Sequence, residues 1–485
     1  MKARPSAQNF ARPDVQAWLA ARLDEVAASG RGQLLSVRGR RQAGKSTAVE
    51  MFVERAGVPY VYTSGLFHMP ERAQLEAADA ALVDSRRPLP GAGDEVGASR
   101  SWREWLSSLA LAASEGPIIA VLDEFPWITA GDSAGLEGVL QAVWDRALEK
   151  LPIVLIIIGS DVAMMERLAQ HDRPLFGRLR EFVVPVLHPG EVAQALPGLS
   201  PFEVFDACLI TGGYPRLVSD LRRTDQPVKA WVNSSLSDSL SPLVAIGRLT
   251  LDAEFADSDS AYRVLSAIGS SGPSELTLSS ISSTIADPGA VAKTVQTAAL
   301  RALALLTDEK RMVVRDLPAW ATSNRLRRYR LDDPYLRFWF RYIERHADAI
   351  ARGRGDVASG AFARDWESWR GRAIEPLVRD ALERLAASSE ELKGVTSVRP
   401  WWTRDGQVEV DAVAAGPERT EVLGTVKWRA RGGIDSHDLA ALAASRNRLP
   451  RSQDARLAAI CPTGVAPASA DLVFSAADLL SAWQR

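Results

Sequence analysis

The sequence predicts an α/β protein with a parallel sheet in its N-terminal part, helices in the middle and a second α/β domain at its C-terminal end. Three observations predict it. Short apolar runs at Gln33–Val37, Pro117–Leu122 and Leu151–Ile158 alternate with segments of helical periodicity. A glycine-rich loop joins the first run to a helix. Two further runs, Val408–Ala414 and Thr420–Trp428, flank an Ala-Gly-Pro turn and read as an antiparallel pair.

The composition bounds the rest. A chain of 485 residues suggests about three domains. Hydrophobic residues make up 46%, enough for a packed core. With 58 basic against 60 acidic residues the net charge is −2, so nothing draws the whole molecule to nucleic acid, and any such surface must be local. Cys208 and Cys461 are far apart and lack CxxC spacing, which argues against a disulfide framework or zinc site and fits a reducing cytoplasm. The stretch Met1–Phe10 is polar, and the longest apolar run, Ile153–Ile158, has the length of a buried strand. A cytoplasmic protein with no membrane partner is expected.

The glycine-rich loop reads Gly39-Arg40-Arg41-Gln42-Ala43-Gly44-Lys45-Ser46, with Thr47 opening the helix that follows. Strand, loop and helix are the context that the G-x(4)-G-K-[ST] pattern requires. Gly39 and Gly44 let the backbone close around phosphate with its N–H groups pointing inward, and the helix N-terminus adds its dipole. Lys45 is expected to reach the β- and γ-phosphates, and Ser46 to offer a hydroxyl to Mg²⁺. The expected ligands are thus ATP and Mg²⁺, with residues 39–47 as the binding loop.

The second run ends in Asp123-Glu124, at the strand end where ligands sit in open α/β sheets. Asp123 is expected to join Ser46 in the Mg²⁺ shell, and Glu124 to orient and deprotonate the attacking water. The third run ends in Gly159-Ser160-Asp161. Ser160 can bond phosphate without charge repulsion, whereas Asp161 is placed to cap the helix beginning at Val162.

The order of phosphate loop, Leu-Asp-Glu-Phe-Pro-Trp, Ile-Gly-Ser, Phe176-Gly177-Arg178 and Gly212-Gly213-Tyr214-Pro215 resembles the archaeal-type ATPase family of archaea and bacteria, on the AAA+/STAND side of the P-loop NTPases. The resemblance implies a charge-stabilising role for Arg178 near the γ-phosphate, in cis or across subunits, so self-association is a partner class to test. It also implies that Pro215 and the Gly-Gly turn pack near adenine at the start of a helical lid. Read from the residues alone, the alternatives are a surface arginine at Arg178 and a plain turn at Gly-Gly-Tyr-Pro.

Residues 199–255 read as short lid helices. Three helical pieces, Ala261–Ile268, Leu278–Ile285 and Val291–Leu306, then a short strand at Arg311–Val314, form a winged helix-turn-helix pattern. The third helix offers Lys293, Gln296 and Arg301 among alanines, so DNA reading stands beside a plain packing role. Arg325–Arg345 interleaves arginines with aromatics, which suits a single-strand binder or an aromatic core. Tyr329–Arg341 resembles the opening signature of the uncharacterised domain that usually follows this ATPase.

That C-terminal family resembles the restriction-endonuclease-like fold, and the likeness spans residues 362–485. The pattern is a helical glutamate, an aspartate on one strand and E-x-K on the next, with the acids holding metal and the lysine placing water. Glu375, on a helix expected over Trp369–Ala386, together with Asp411 and Lys427, fits three positions; Thr425 stands where the fourth calls for glutamate. Glu421 shares that strand face but lies too far along it to substitute. A hydroxyl replaces a carboxylate poorly at Mg²⁺, so an inactive or weak site is expected.

The expected domains are an ATPase core at 1–198, the lid at 199–255, the winged helix at 256–325, a connecting arginine- and aromatic-rich segment at 326–361 and the nuclease-like domain at 362–485. The expected function is an ATP-hydrolysing switch that couples nucleotide state to the other domains. The alternative is an ATP-regulated DNA-cleaving or DNA-binding enzyme of a defence or mobile-element system.

Overall fold

A computed structural model describes residues 10–90, 99–130, 135–255, 259–271 and 276–484, so most of the polar N-terminal stretch lies outside the described residues. The chain divides into two compact units, Met1–Val186 and Leu187–Arg485.

The first unit is built on five strands: β1 (Gln33–Arg38), β2 (Tyr60–Ser64), β3 (Ile118–Asp123), β4 (Ile153–Gly159) and β5 (Leu179–Val183). Their spatial order is β2-β3-β4-β1-β5, and every pairing is parallel. All residues of β3 and β4 are buried, as continuous apolar runs require when helices cover both faces. The pleat sorts the runs by parity. Ile153, Leu155 and Ile157 face a core shared with helices Glu71–Val83, Trp102–Ala113 and Leu136–Arg146, while Val154, Ile156 and Ile158 face helices Pro13–Ser29 and Lys45–Arg55. β4 lies between β1 and β3, so the loop after β1, the acids after β3 and Ser160 after β4 emerge at adjacent strand ends.

The second unit opens with helices Pro189–Ala195, Pro201–Thr211, Pro215–Thr224, Val228–Leu236 and Pro242–Glu254. Proline sits in the first turn of four of them, where its missing N–H costs nothing. Sequence placed a boundary at 198/199, yet helix Pro189–Ala195 belongs to this unit. It packs against Pro201–Thr211 and Pro215–Thr224, and Leu187 N–H donates to the Gly213 carbonyl.

Next come helices Asp259–Ser270, Leu278–Ile285 and Ala292–Ala304, where three helical pieces were read, then the antiparallel pair β6 (Val313–Asp316) and β7 (Arg328–Leu331). Leu276, between the first two helices, bridges to Tyr329 of β7 and extends the hairpin. Helix Pro334–Tyr342 then buries Tyr335, Phe338, Trp339, Phe340 and Tyr342. Phe338 and Tyr342 meet Phe362 and Trp369 edge-on, so these aromatics are core and offer no face to a base.

The C-terminal part carries a mixed sheet of β8 (Ser397–Trp402), β9 (Glu409–Ala415), β10 (Thr420–Val426), β11 (Arg456–Ile460) and β12 (Leu472–Phe474), ordered β12-β11-β10-β9-β8. β8-β9-β10 is antiparallel, as read for its last two strands, and β10-β11-β12 is parallel. The helix expected over Trp369–Ala386 is two helices, Gly355–Ala373 and Glu375–Ala386. Pro376 lacks an N–H and clashes with the turn before it, so the path breaks at Ile374 and Glu375 opens the second helix.

Candidate functional site

At the end of β1 the chain must turn in a way only a few residues tolerate. Gly39 has φ of 150°, Gln42 63° and Gly44 87°. A β-carbon at Gly39 would fall 2.4 Å from the Val184 carbonyl oxygen, so the loop closes only around glycine there. Lys45 is buried and its Nζ donates to the carbonyls of Gly39 and Arg40, both at 2.9 Å, which bends the ammonium over the loop. Ala43 is buried, while Thr47 is exposed on the helix that Lys45 opens.

Asp123 ends β3 with its carboxylate divided between two donors. Oδ1 accepts from the Glu124 N–H at 2.8 Å, and Oδ2 accepts from the Tyr62 hydroxyl at 2.8 Å. The Ser46 side chain lies near the same phenol. Burial, then the adjacent Asp123 charge, raises the Tyr62 pKa far above its usual range, so the phenol keeps its proton. A hydroxyl and a carboxylate, both hard oxygen donors, thus lie close to Tyr62 at the lip of the loop. That donor set suits Mg²⁺, which takes one or two carboxylates and fills its remaining positions with phosphate and water. Among the described residues no cluster of three or more acidic, histidine or cysteine side chains could hold a metal by itself.

Glu124 occupies the left-handed region, φ 47°, which is costly for a side chain of its size and recurs at functional sites. Its Oε1 accepts from Ser160 Oγ at 2.9 Å, so the residue after β4 holds the carboxylate after β3. Asp161 caps its helix by accepting from Met164 N–H. The structure thus gathers Lys45, Ser46, Asp123, Glu124 and Ser160 at one end of the sheet. Tyr62 was missed by sequence reasoning. Its signal was the run Tyr60-Val61-Tyr62-Thr63-Ser64, a β-prone segment ending in Gly65.

Arg178 is elsewhere engaged. Its Nε and Nη2 donate to the two Asp145 oxygens at 2.7 and 2.8 Å, and Nη1 donates to the carbonyls of Pro174 and Phe176. Pro215 lies in the second unit, where Gly212 and Gly213, φ 59° and 71°, end helix Pro201–Thr211. A β-carbon at Gly212 would meet Tyr335, and one at Gly213 would meet the Leu187 carbonyl. This turn is clamped by the Asp333-Pro334-Tyr335 segment.

In the C-terminal part, Glu375, Asp411 and Lys427 line one cavity of about 490 Å³, together with Glu409, Arg372 and Arg328. Asp411 Oδ2 accepts from Val426 N–H at 2.7 Å and from Thr425 Oγ1 at 3.4 Å, so the threonine stands beside the aspartate as the spacing implied. Burial raises the Asp411 pKa despite these bonds. Lys427 pairs with Asp438 at 3.3 Å. Buried Arg379, which the sequence did not single out, donates to the Asp411 carbonyl at 2.9 Å and to Glu375 at 3.4 Å.

Residues 339–439 match a family described as archaeal and bacterial proteins of unknown function. No curated protein matches the chain. Among solved structures, the Walker-type ATPase of Pyrococcus abyssi is 17% identical, with a TM-score of 0.49 over 68% of this chain and 96% of that one. The ORC2 protein of Aeropyrum pernix is 13% identical, with a TM-score of 0.47 over 75% and 97%. The ORC1 protein of the same organism, solved in complex with DNA, is 16% identical, with a TM-score of 0.35 over 74% and 96%.

Proposed function

We propose that the chain is an ATP-binding and ATP-hydrolysing switch whose first unit carries the nucleotide chemistry and whose second unit responds to it. One observation carries this reading. Asp123, held by the Tyr62 phenol, stands near Ser46 at the lip of the Gly39–Lys45 loop, while Ser160 holds Glu124 beside it.

The loop N–H groups and the Lys45 ammonium bind the phosphates, and Ser46 and Asp123 would hold Mg²⁺, whose charge would stabilise the phosphoryl oxygens. Glu124 accepts the proton of the water that attacks the γ-phosphorus, and the bond to the β–γ bridging oxygen breaks to leave ADP. Ser160 fixes the Glu124 side chain until that water arrives. Arg178 adds charge stabilisation only after it leaves Asp145. Pro215 and its turn stand at the start of the responding unit.

The order of three helices, with Leu276 pairing into a β6-β7 hairpin, supports a winged helix in the second unit. The cavity around Asp411 supports a nuclease-like origin, and Thr425 with Arg379 supports a site that no longer cleaves. A carboxylate is missing and an arginine already serves the acids that remain.

The test is nucleotide binding and turnover in the full chain. Lys45→Ala should weaken ATP binding by about ten- to a hundredfold, the worth of hydrogen bonds to a charged group. Glu124→Gln should keep binding and lower turnover by about 10²–10⁴. Unchanged ATP affinity in Lys45→Ala by calorimetry sinks the assignment.

A further inference from the structure

A second depression adjoins the Asp411 cavity. It is a trough of about 690 Å³ between helices Leu278–Ile285 and Ala292–Ala304 on one side and the β8–β9 hairpin tip on the other. Its charged lining is one-sided: Arg325, Arg327, Arg328 and Arg404 against Asp405. The carboxylates nearby are already engaged. Asp405 accepts from the Thr403 hydroxyl and Gln407 N–H, and Asp308, which faces Arg327, is paired with Arg315 at 2.7 Å. Glu409 pairs with Arg328 at 2.8 Å.

Arg325 and Arg404 are exposed, and no carboxylate among the described residues forms an ion pair with either, or with Arg327. Arg327 donates to the Tyr329 hydroxyl at 3.5 Å and faces Asp308, which is already paired with Arg315. Elsewhere in the arginine-rich strip Arg330 is paired with Asp316 and Arg341 with Asp365, while Arg345 meets the Ser270 carbonyl. Three arginines without a carboxylate partner thus converge on one concave surface, although the whole chain carries a net charge of −2.

We infer that this trough is a binding site for one strand of nucleic acid, held by its phosphodiester backbone. Three unpaired guanidiniums along a groove match a row of phosphates, and arginine is the residue that binds phosphate through paired N–H donors. A trough of about 690 Å³ takes a few nucleotides of one strand and is small for a duplex. Gln296, Asn324 and Ser279 in the lining supply neutral polar contacts. Trp402 and Tyr329 are buried, and Arg328 covers the Trp402 ring at 4.2 Å, so base stacking contributes little and binding is sequence-tolerant. Arg328 and Trp402 line both depressions, so a strand lying in the trough leads toward Asp411.

The inference stands without the ATP reading, and its test uses the full chain with no nucleotide added. Fluorescence anisotropy is measured with a labelled mixed-sequence DNA strand of about 16 nucleotides. Binding should fall with salt, with log K against log [salt] having a slope of about −2 for three phosphate contacts. Arg325→Gln with Arg404→Gln should weaken binding at least about tenfold and flatten that slope by about 1.4. Both side chains are exposed and unpaired, so the variant should keep the wild-type melting curve. The charge-matched variant Arg72→Gln with Lys393→Gln, exposed and remote in sequence, should bind like wild type. Equal loss in both double variants, no salt-dependent binding, or tighter binding to the duplex of the same sequence each overturns the inference.

Discussion

The Tyr214 hydroxyl donates to Asp333 Oδ2 at 2.5 Å, joining two motifs that lie far apart in the sequence. Asp333 Oδ1 caps helix Pro334–Tyr342 by accepting from Leu336 N–H. Tyr335 lies edge-on to the Tyr214 ring at 5.7 Å, donates to the Leu243 carbonyl and accepts from Gly247 N–H. The Gly-Gly-Tyr-Pro turn and the Asp-Asp-Pro-Tyr segment are thus one buried interlock. Whatever moves the turn acts directly on the aromatic helix.

This interlock predicts a graded loss of stability. Tyr214→Phe removes one buried hydrogen bond and should cost about 1–3 kcal/mol of the second unit's stability. Asp333→Ala should cost more, because it also removes the helix cap and leaves the tyrosine hydroxyl unsatisfied. The double variant should cost less than the sum, since both single changes break the same bond. Urea denaturation of the four proteins checks this, and strict additivity would show that the two residues are independent.

Arg178 and Asp145 predict a change in turnover. The bidentate pair occupies the guanidinium's donors, so Asp145→Asn should release it and raise kcat. Arg178→Ala should lower kcat far more than it weakens ATP binding, by up to about 10³–10⁵. Measurements across a range of protein concentrations separate a role within one chain from a role across two. If neither variant changes kcat, Arg178 is a surface residue tied to its neighbour.

Asp206 predicts a pH dependence. Burial pushes its carboxyl up to about 7 against the pull of Arg370, whose guanidinium is shared with Glu367. A carboxyl with a folded pKa above its unfolded value near 4 stabilises the fold fully below about pH 4, and that contribution is lost as pH rises through about 7. Wild type should therefore lose stability between about pH 5 and about pH 8, and Asp206→Asn should lose less over the same interval. An equal pH dependence in both, measured by denaturant melts, would mean that Asp206 is ionised throughout. Arg370→Ala should cost about 3–5 kcal/mol at about pH 8, where it leaves a buried carboxylate without its cation, and less at about pH 5, where the carboxyl is neutral.

The parts legible in the sequence are those set by local pattern. Val154 to Ile158 could only be a strand covered on both faces, and the spacing from Gly39 to Ser46 fixed a loop between strand and helix. Asp161 was readable as a cap because capping acts within three residues. Tyr62 was not readable as a partner of Asp123, because that bond depends on β2 lying next to β3 with Tyr62 toward the strand ends. The break at Ile374 was signalled by Pro376, but the unbroken apolar spacing from Trp369 onward masked it. The trough depends on Arg325 and Arg404 converging from segments far apart in the chain, which no local spacing encodes.

The last prediction concerns Thr425. Its hydroxyl lies 3.4 Å from Asp411 Oδ2, so a carboxylate at this position would stand beside Asp411 with Lys427 two residues on. Thr425→Glu alone places a second acid next to a buried one. Arg379, held by Glu375 and the Asp411 carbonyl, partly offsets that charge. The variant should therefore fold, and in calorimetry it should bind Mn²⁺ where wild type does not, because two adjacent carboxylates supply the oxygen ligands that one buried aspartate lacks. Wild type should show no metal-dependent cleavage of plasmid or single-stranded DNA. Strong cleavage by wild type, abolished by Asp411→Ala, would establish a working nuclease and reverse the reading of Thr425. A Thr425→Glu variant that keeps the wild-type melting curve yet gains no Mn²⁺ binding would show that Glu375 and Asp411 do not share a metal position, so the cavity owes nothing to a nuclease ancestor.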